Sequence, residues 1–95
     1  MNMQMSAGQQ LKIAARLKQL WKGLLPTFQA PTDEQFLSWA QLASEQIVCH
    51  AFNRTRKKAR QEREAGIVTT DESIGRFITG VIVRERECQR LLREV

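Results

Sequence analysis

A chain of 95 residues with 42% hydrophobic and 26% charged side chains builds one small domain with a modest core and little room for a deep catalytic cleft. Fifteen Lys and Arg against ten Asp and Glu leave a net +5 and a pI near 9.9, an excess that favours a polyanionic partner, nucleic acid or an acidic membrane face. Two cysteines, Cys49 and Cys88, are too few for a disulfide-stapled secreted scaffold, and no apolar run approaches the roughly 18 residues of a membrane span.

Residues 1–8, with Met1, Met3 and Met5, read as a disordered start without the charged and apolar segments of a secretory signal, so a reducing, cytoplasmic setting is expected. Residues 1–32 carry no acid, which also describes an organellar transit peptide, but Trp21 and the leucines around it read as permanent core. A first helix is predicted over residues 9–25. Ile13, Leu17, Leu20 and Leu24 follow the spacing of one helical face, Ala14 and Trp21 widen it, and Lys12, Arg16, Lys18 and Lys22 lie off it. Pro26 ends this helix, because its ring clashes with the preceding turn and disfavours α geometry at Leu25. In the connection that follows, Phe28 is the residue expected to tuck inward.

Thr32 followed by Asp33, Glu34 and Gln35 is a capping-box pattern, and the two acids oppose the positive helix N-terminus. From there Phe36, Ala40, Ala43, Ile47 and Ala51 share one line, broadened by Leu37, Trp39, Val48 and Phe52. With no proline or glycine between Thr32 and Ala65, a single long helix is predicted over residues 33–64. Its apolar character stops near Phe52, so the stretch from Asn53 to Glu64 reads either as a solvent-projecting helical extension or as a frayed loop ending at Gly66.

Thr69 to Glu72 forms a second capping-box pattern and predicts a third helix over residues 70–94. Ile74, Ile78, Val81, Cys88, Leu92 and Val95 would share its face, with Phe77 and Leu91 alongside. The β-branched run of residues 77–83, with Gly80 inside it, is the competing strand. A lone strand leaves its backbone groups unpaired unless the chain dimerises through that edge, so helix is preferred. The expected fold is therefore all-α, a small single-domain bundle of three principal helices over residues 9–95, the middle one longest and carrying a basic C-terminal extension.

Charge is uneven along the chain. Residues 1–32 hold +4, residues 33–53 hold −3, residues 54–65 hold +4, and the remainder balances. The basic cluster Arg54, Arg56, Lys57, Lys58, Arg60 and Arg63 is the candidate nucleic-acid-binding site, with Arg56, Arg60 and Arg63 on one side of the helix and Arg54, Lys57 and Lys58 on another. Crowded like charges destabilise an isolated helix, and phosphates relieve that repulsion while releasing counterions. The alternatives are a solvated helix end, where cations are favoured by the dipole, and an anionic membrane or acidic protein partner. No base-reading motif accompanies the cluster, so phosphate contacts and weak sequence specificity are expected. In the last segment, Glu87 is positioned to pair with Arg90 and Arg90 with Glu94, and this mixed-charge flank suits packing against a partner helix or a second copy of the chain.

Catalysis has little support. His50 is the single histidine and adjoins Cys49 on a helix, where neighbours point about 100° apart and cannot form a dyad. Cys49, His50 and Cys88 lack zinc-ligand spacing, so no metal or cofactor is expected. Both cysteines are expected to be buried, and a disulfide between them requires the second and third predicted helices to touch there. Trp21 and Trp39 lie on apolar faces and read as core.

Phe36-Leu-Ser-Trp39, then Ile47, Ala51 and a basic exit through Lys57 and Lys58, is similar to the helix of DnaD-like replication domains in which a tryptophan-bearing turn leads into a basic end. Phe77 and Val81 resemble two positions of that family's closing helix, with Glu85 standing where a second aromatic belongs. The resemblance covers residues 33–86 and implies a helical, non-enzymatic, DNA-binding and self-associating module acting in primosome assembly and helicase loading, with Arg54–Arg63 as its DNA-contacting part. The expected function is a nucleic-acid-associated accessory module. The alternative is a helical protein–protein adaptor or homodimerisation module whose charge serves solubility.

Overall fold

The computed structural model describes residues 6–94, and these form four α-helices: α1 (Ala7–Leu24), α2 (Asp33–Leu42), α3 (Glu45–Glu64) and α4 (Asp71–Glu94). The all-α class agrees with the periodicity, but the long middle helix is two. The expected disorder of residues 1–5 and the place of Val95 on the last helical face fall outside the described residues. At residues 6–8 the expectation is corrected. Ser6 caps α1, its hydroxyl accepting from Gln9 N while the Gln9 side chain accepts from Ser6 N, so that Ala7 and Gly8 are already helical.

The middle helix breaks at Ala43, whose extended backbone (φ −156°, ψ 169°) lets Ser44 act as a fresh N-cap, its hydroxyl accepting from Ile47 N at 3.3 Å. Glu45, the first residue of α3, then receives the Arg16 guanidinium of α1 on both carboxylate oxygens. The break also rotates the buried stripe. An unbroken helix would centre Ile47, whereas here Val48, Ala51 and Phe52 are buried and Ile47 only half so.

The core is aromatic at its centre. Trp21 of α1, Phe36 and Trp39 of α2 and Phe52 of α3 surround one another with ring centroids 5.5–6.3 Å apart, mostly edge to face. Helices α1 and α4 make no direct approach to each other, and both pack on α2 and α3. Trp39 bridges that gap: it stacks on Trp21, and its indole N–H donates to Thr79 Oγ1 of α4.

Residues 77–83 are helical, because Ile78, Val81 and Ile82 fall on one face and are all buried there, while Gly80 lies on the exposed side. The α4 cap is Thr70, not Thr69. Thr70 and Ser73 exchange backbone-to-hydroxyl hydrogen bonds of 3.1 and 3.2 Å, while the Thr69 hydroxyl is turned away to Glu62 of α3. Beyond Val83 the fold departs from the predicted apolar face. Cys88 is exposed, as are Leu91 and Leu92, so the described residues leave that face of α4 uncovered. A radius of gyration of 14.1 Å, against about 12 Å for a compact chain of this length, fits this projecting end.

Candidate nucleic-acid interface

All six cations of the predicted cluster lie on the last three turns of α3, which is helical through Glu64 and not a frayed loop. It is also packed, contrary to the expectation of a free extension. Thr55 is fully buried and Ala59 half-buried, so the line Ala51, Thr55, Ala59 carries the inward face of α3 past the point where the large apolar residues end. The buried Thr55 hydroxyl is satisfied by donating to Ala51 O at 2.7 Å. Small side chains along this line let neighbouring chain approach closely, and the long cations are left on the outer surfaces.

Those surfaces are two, as the helical spacing predicts. On one, Arg56, Arg60 and Arg63 border a hollow of about 490 Å³ whose other walls include Leu25, Phe28, Ile67 and Thr69. On the other, Arg54, Lys57 and Lys58 border a smaller hollow of about 260 Å³ with Gln61 and Phe77. Phe28 turns inward as expected, packing against the core, and its carbonyl accepts from Trp21 Nε1 at 3.3 Å. The segment that carries it is held further by Asp71 Oδ1, which accepts from Gln29 N. The adjoining turn after α3 closes on Gly66, the one described residue with positive φ (77°), and then exposes Ile67 and Val68.

Ionic partners divide the cluster. Lys58 pairs with Glu62 one turn on, and its ammonium sits 5.2 Å from the centre of the Phe77 ring. Glu62 accepts from both Lys58 and Thr69, and these hydrogen bonds hold its carboxyl below the ordinary glutamate range. Lys58 is therefore largely a structural cation joining α3 to α4 and the turn between them. Arg54, Arg56, Lys57, Arg60 and Arg63 take part in none of the ion pairs among the described residues.

The basic face of α1 is divided in the same way. Arg16 is held by Glu45 and Lys18 by Asp33 at 3.1 Å, leaving Lys12 and Lys22 outside those ion pairs. His50 faces Glu85 of α4, with Nε2 3.9 Å from the carboxylate. Cys49 is half-buried and Cys88 exposed, so the expectation that both are buried is corrected, and neither forms a disulfide. Among the described residues no cluster of His, Cys, Asp or Glu is arranged to hold a metal ion, and no helix is long and apolar enough to cross a membrane.

The walls of the larger hollow were not visible as site residues in the sequence. Phe28 reads there only as inward-tucking, and Ile67 carries no signal at all. The i, i+4, i+8 line of Ala51, Thr55 and Ala59 is the pattern that identifies the basic segment as packed helix. Comparison of the chain with protein-family models, with curated proteins and with solved structures gave no match.

Proposed function

We propose that this chain is a non-enzymatic nucleic-acid-associated accessory module that binds the phosphate backbone through the exit of α3. The observation that carries the reading is the set of five cations, Arg54, Arg56, Lys57, Arg60 and Arg63, held within about three helical turns and outside the ion pairs among the described residues. Such crowding costs helix stability in the free protein, and phosphate binding relieves it. The resemblance of residues 33–86 to DnaD-like domains adds the narrower proposal of a role in DNA replication.

The test is fluorescence-anisotropy titration of labelled DNA at about 50 and 200 mM salt. A protein neutralising about four phosphates loses roughly 100-fold in affinity across that range. The quadruple variant Arg56→Gln, Lys57→Gln, Arg60→Gln, Arg63→Gln should abolish both the binding and its salt dependence. Lys58 is kept because it is tied to Glu62 and Phe77. No binding at the lower salt, or undiminished binding by the variant, refutes the reading.

A second reading, a helical adaptor or homodimer, is favoured by Leu91 and Leu92, 50% and 67% exposed on the projecting end of α4. Sedimentation velocity of the wild type and of the Leu91→Glu, Leu92→Glu variant separates the two. A dimer that dissociates in the variant supports this reading.

A further inference from the structure

We infer that the nucleic acid bound at the exit of α3 is single-stranded, with an unpaired base entering the hollow against Phe28 and Ile67 while Arg56, Arg60 and Arg63 hold its flanking phosphates. This rests on the nucleic-acid reading above and narrows it.

A helix that reads duplex DNA enters a major groove about 12 Å wide, and a helix with its side chains already measures about 10–12 Å across. The basic end of α3 has no such freedom. Its inward face is buried at Thr55 and half-buried at Ala59, and the segments carrying Phe28 and Ile67 stand beside it as walls of the same hollow. These walls leave α3 less free than a bare helix to enter the groove.

Phosphate alone needs cations and N–H donors, yet beside Arg56, Arg60 and Arg63 the hollow also offers an apolar wall of Leu24, Leu25, Phe28 and Ile67, with Thr27 and Thr69 among its polar lining. Its volume of about 490 Å³ falls within the range of about 300–1,000 Å³ that small-molecule sites occupy. Cations flanking a surface that carries an aromatic ring are the arrangement by which single strands are held, since every base offers a π-face and a duplex hides it. The opposite side of α3 repeats the pairing of cations with a phenylalanine, but there Lys58 already occupies one face of the Phe77 ring. The Phe28 hollow is therefore the base site.

The experiment is anisotropy titration of labelled oligothymidylate and of a labelled duplex of equal length, with wild type, Phe28→Leu and Ile67→Ser. Leucine keeps apolar volume at a position that packs on the core but removes the ring. Ile67 is 57% exposed, so its substitution tests the hollow without threatening the fold. Wild type should bind the single strand at least about tenfold more tightly than the duplex. Phe28→Leu should lose at least about fivefold on the single strand and nothing on the duplex, since base–aromatic stacking contributes at that scale. Ile67→Ser should weaken single-strand binding in the same sense. Equal or tighter duplex binding overturns the inference but leaves the nucleic-acid reading standing, as does wild-type single-strand affinity in both variants. Failure of both nucleic acids to bind at about 50 mM salt overturns both. So does binding to phosphatidylserine vesicles alone, which would assign the exposed Ile67 and Val68 to a lipid surface.

Discussion

The indole N–H of Trp39 donates to Thr79 Oγ1 at 3.1 Å, and the same hydroxyl donates to Gly75 O one turn back along α4. Trp39 is fully buried, so this threonine satisfies a donor that has no access to water. The pair joins α4 to an aromatic cluster that α4 itself does not enter with an aromatic residue. Thr79→Val keeps the shape and removes the acceptor, so it should cost about 1–3 kcal/mol in urea-induced unfolding. Adding Trp39→Phe removes the orphaned donor. The double variant should then be less destabilised than the sum of the singles, a coupling of about 1 kcal/mol read from a double-mutant cycle. Strict additivity would show that the hydrogen bond contributes nothing.

Two glycines should respond in opposite directions to alanine. Gly80 lies on the exposed face of α4, and a Cβ added there meets nothing within 4 Å. Gly80→Ala should therefore stabilise the protein by about 1 kcal/mol through helix propensity. Gly66 ends the turn after α3 at φ 77°, where a Cβ is strained whatever the space around it. Gly66→Ala should cost about 1–2 kcal/mol, and thermal unfolding of both variants checks the signs together.

Acid should loosen the turn between α3 and α4. The Glu62 carboxyl is held below its ordinary range by hydrogen bonds from Lys58 and Thr69. A depressed folded-state pKa means that the carboxylate contributes stability above the ordinary glutamate range. That contribution is lost as the pH falls through the lower folded value. The protection factors of the Ile67 and Thr70 amides, which correct for the slowing of intrinsic exchange in acid, should fall across that acidic window in the wild type. In Glu62→Gln they should already be lower near neutral pH and should change less with acid. An unchanged profile in the variant would show that Glu62 does not fasten the turn.

Much of this molecule is local and was legible in the chain. Helical periodicity marks Ile13, Leu17 and Trp21, and again Ile74, Ile78 and Val81, as inward faces, and all are buried. The Thr32 cap appears where its pattern predicts, its hydroxyl accepting from Gln35 N. Pro26 lies outside α1, just after the Leu25 C-cap. The division of the basic cluster into two sides follows from helix geometry alone, since 100° per residue needs no partner. Such features depend on residues within a turn or two of one another, so the chain specifies them without knowing the rest of the fold.

What only the tertiary structure decided involves residues far apart. The break at Ala43 was not announced by glycine or proline. Ser44 is an adequate cap, but it becomes one because Glu45 meets Arg16 of α1 and because Phe52 must turn to reach Trp21. The capping-box pattern favours Thr69, but Glu62 takes its hydroxyl and Thr70 caps α4 instead. Leu91, Leu92 and Cys88 sit on a face that looks buried by period, yet among the described residues nothing covers them and they are exposed. Conversely, Thr55 is buried inside a run of cations because α3 remains packed there. Periodicity reports which side chains share a face. Whether that face is covered depends on where the other helices end, and that is a property of the packed bundle.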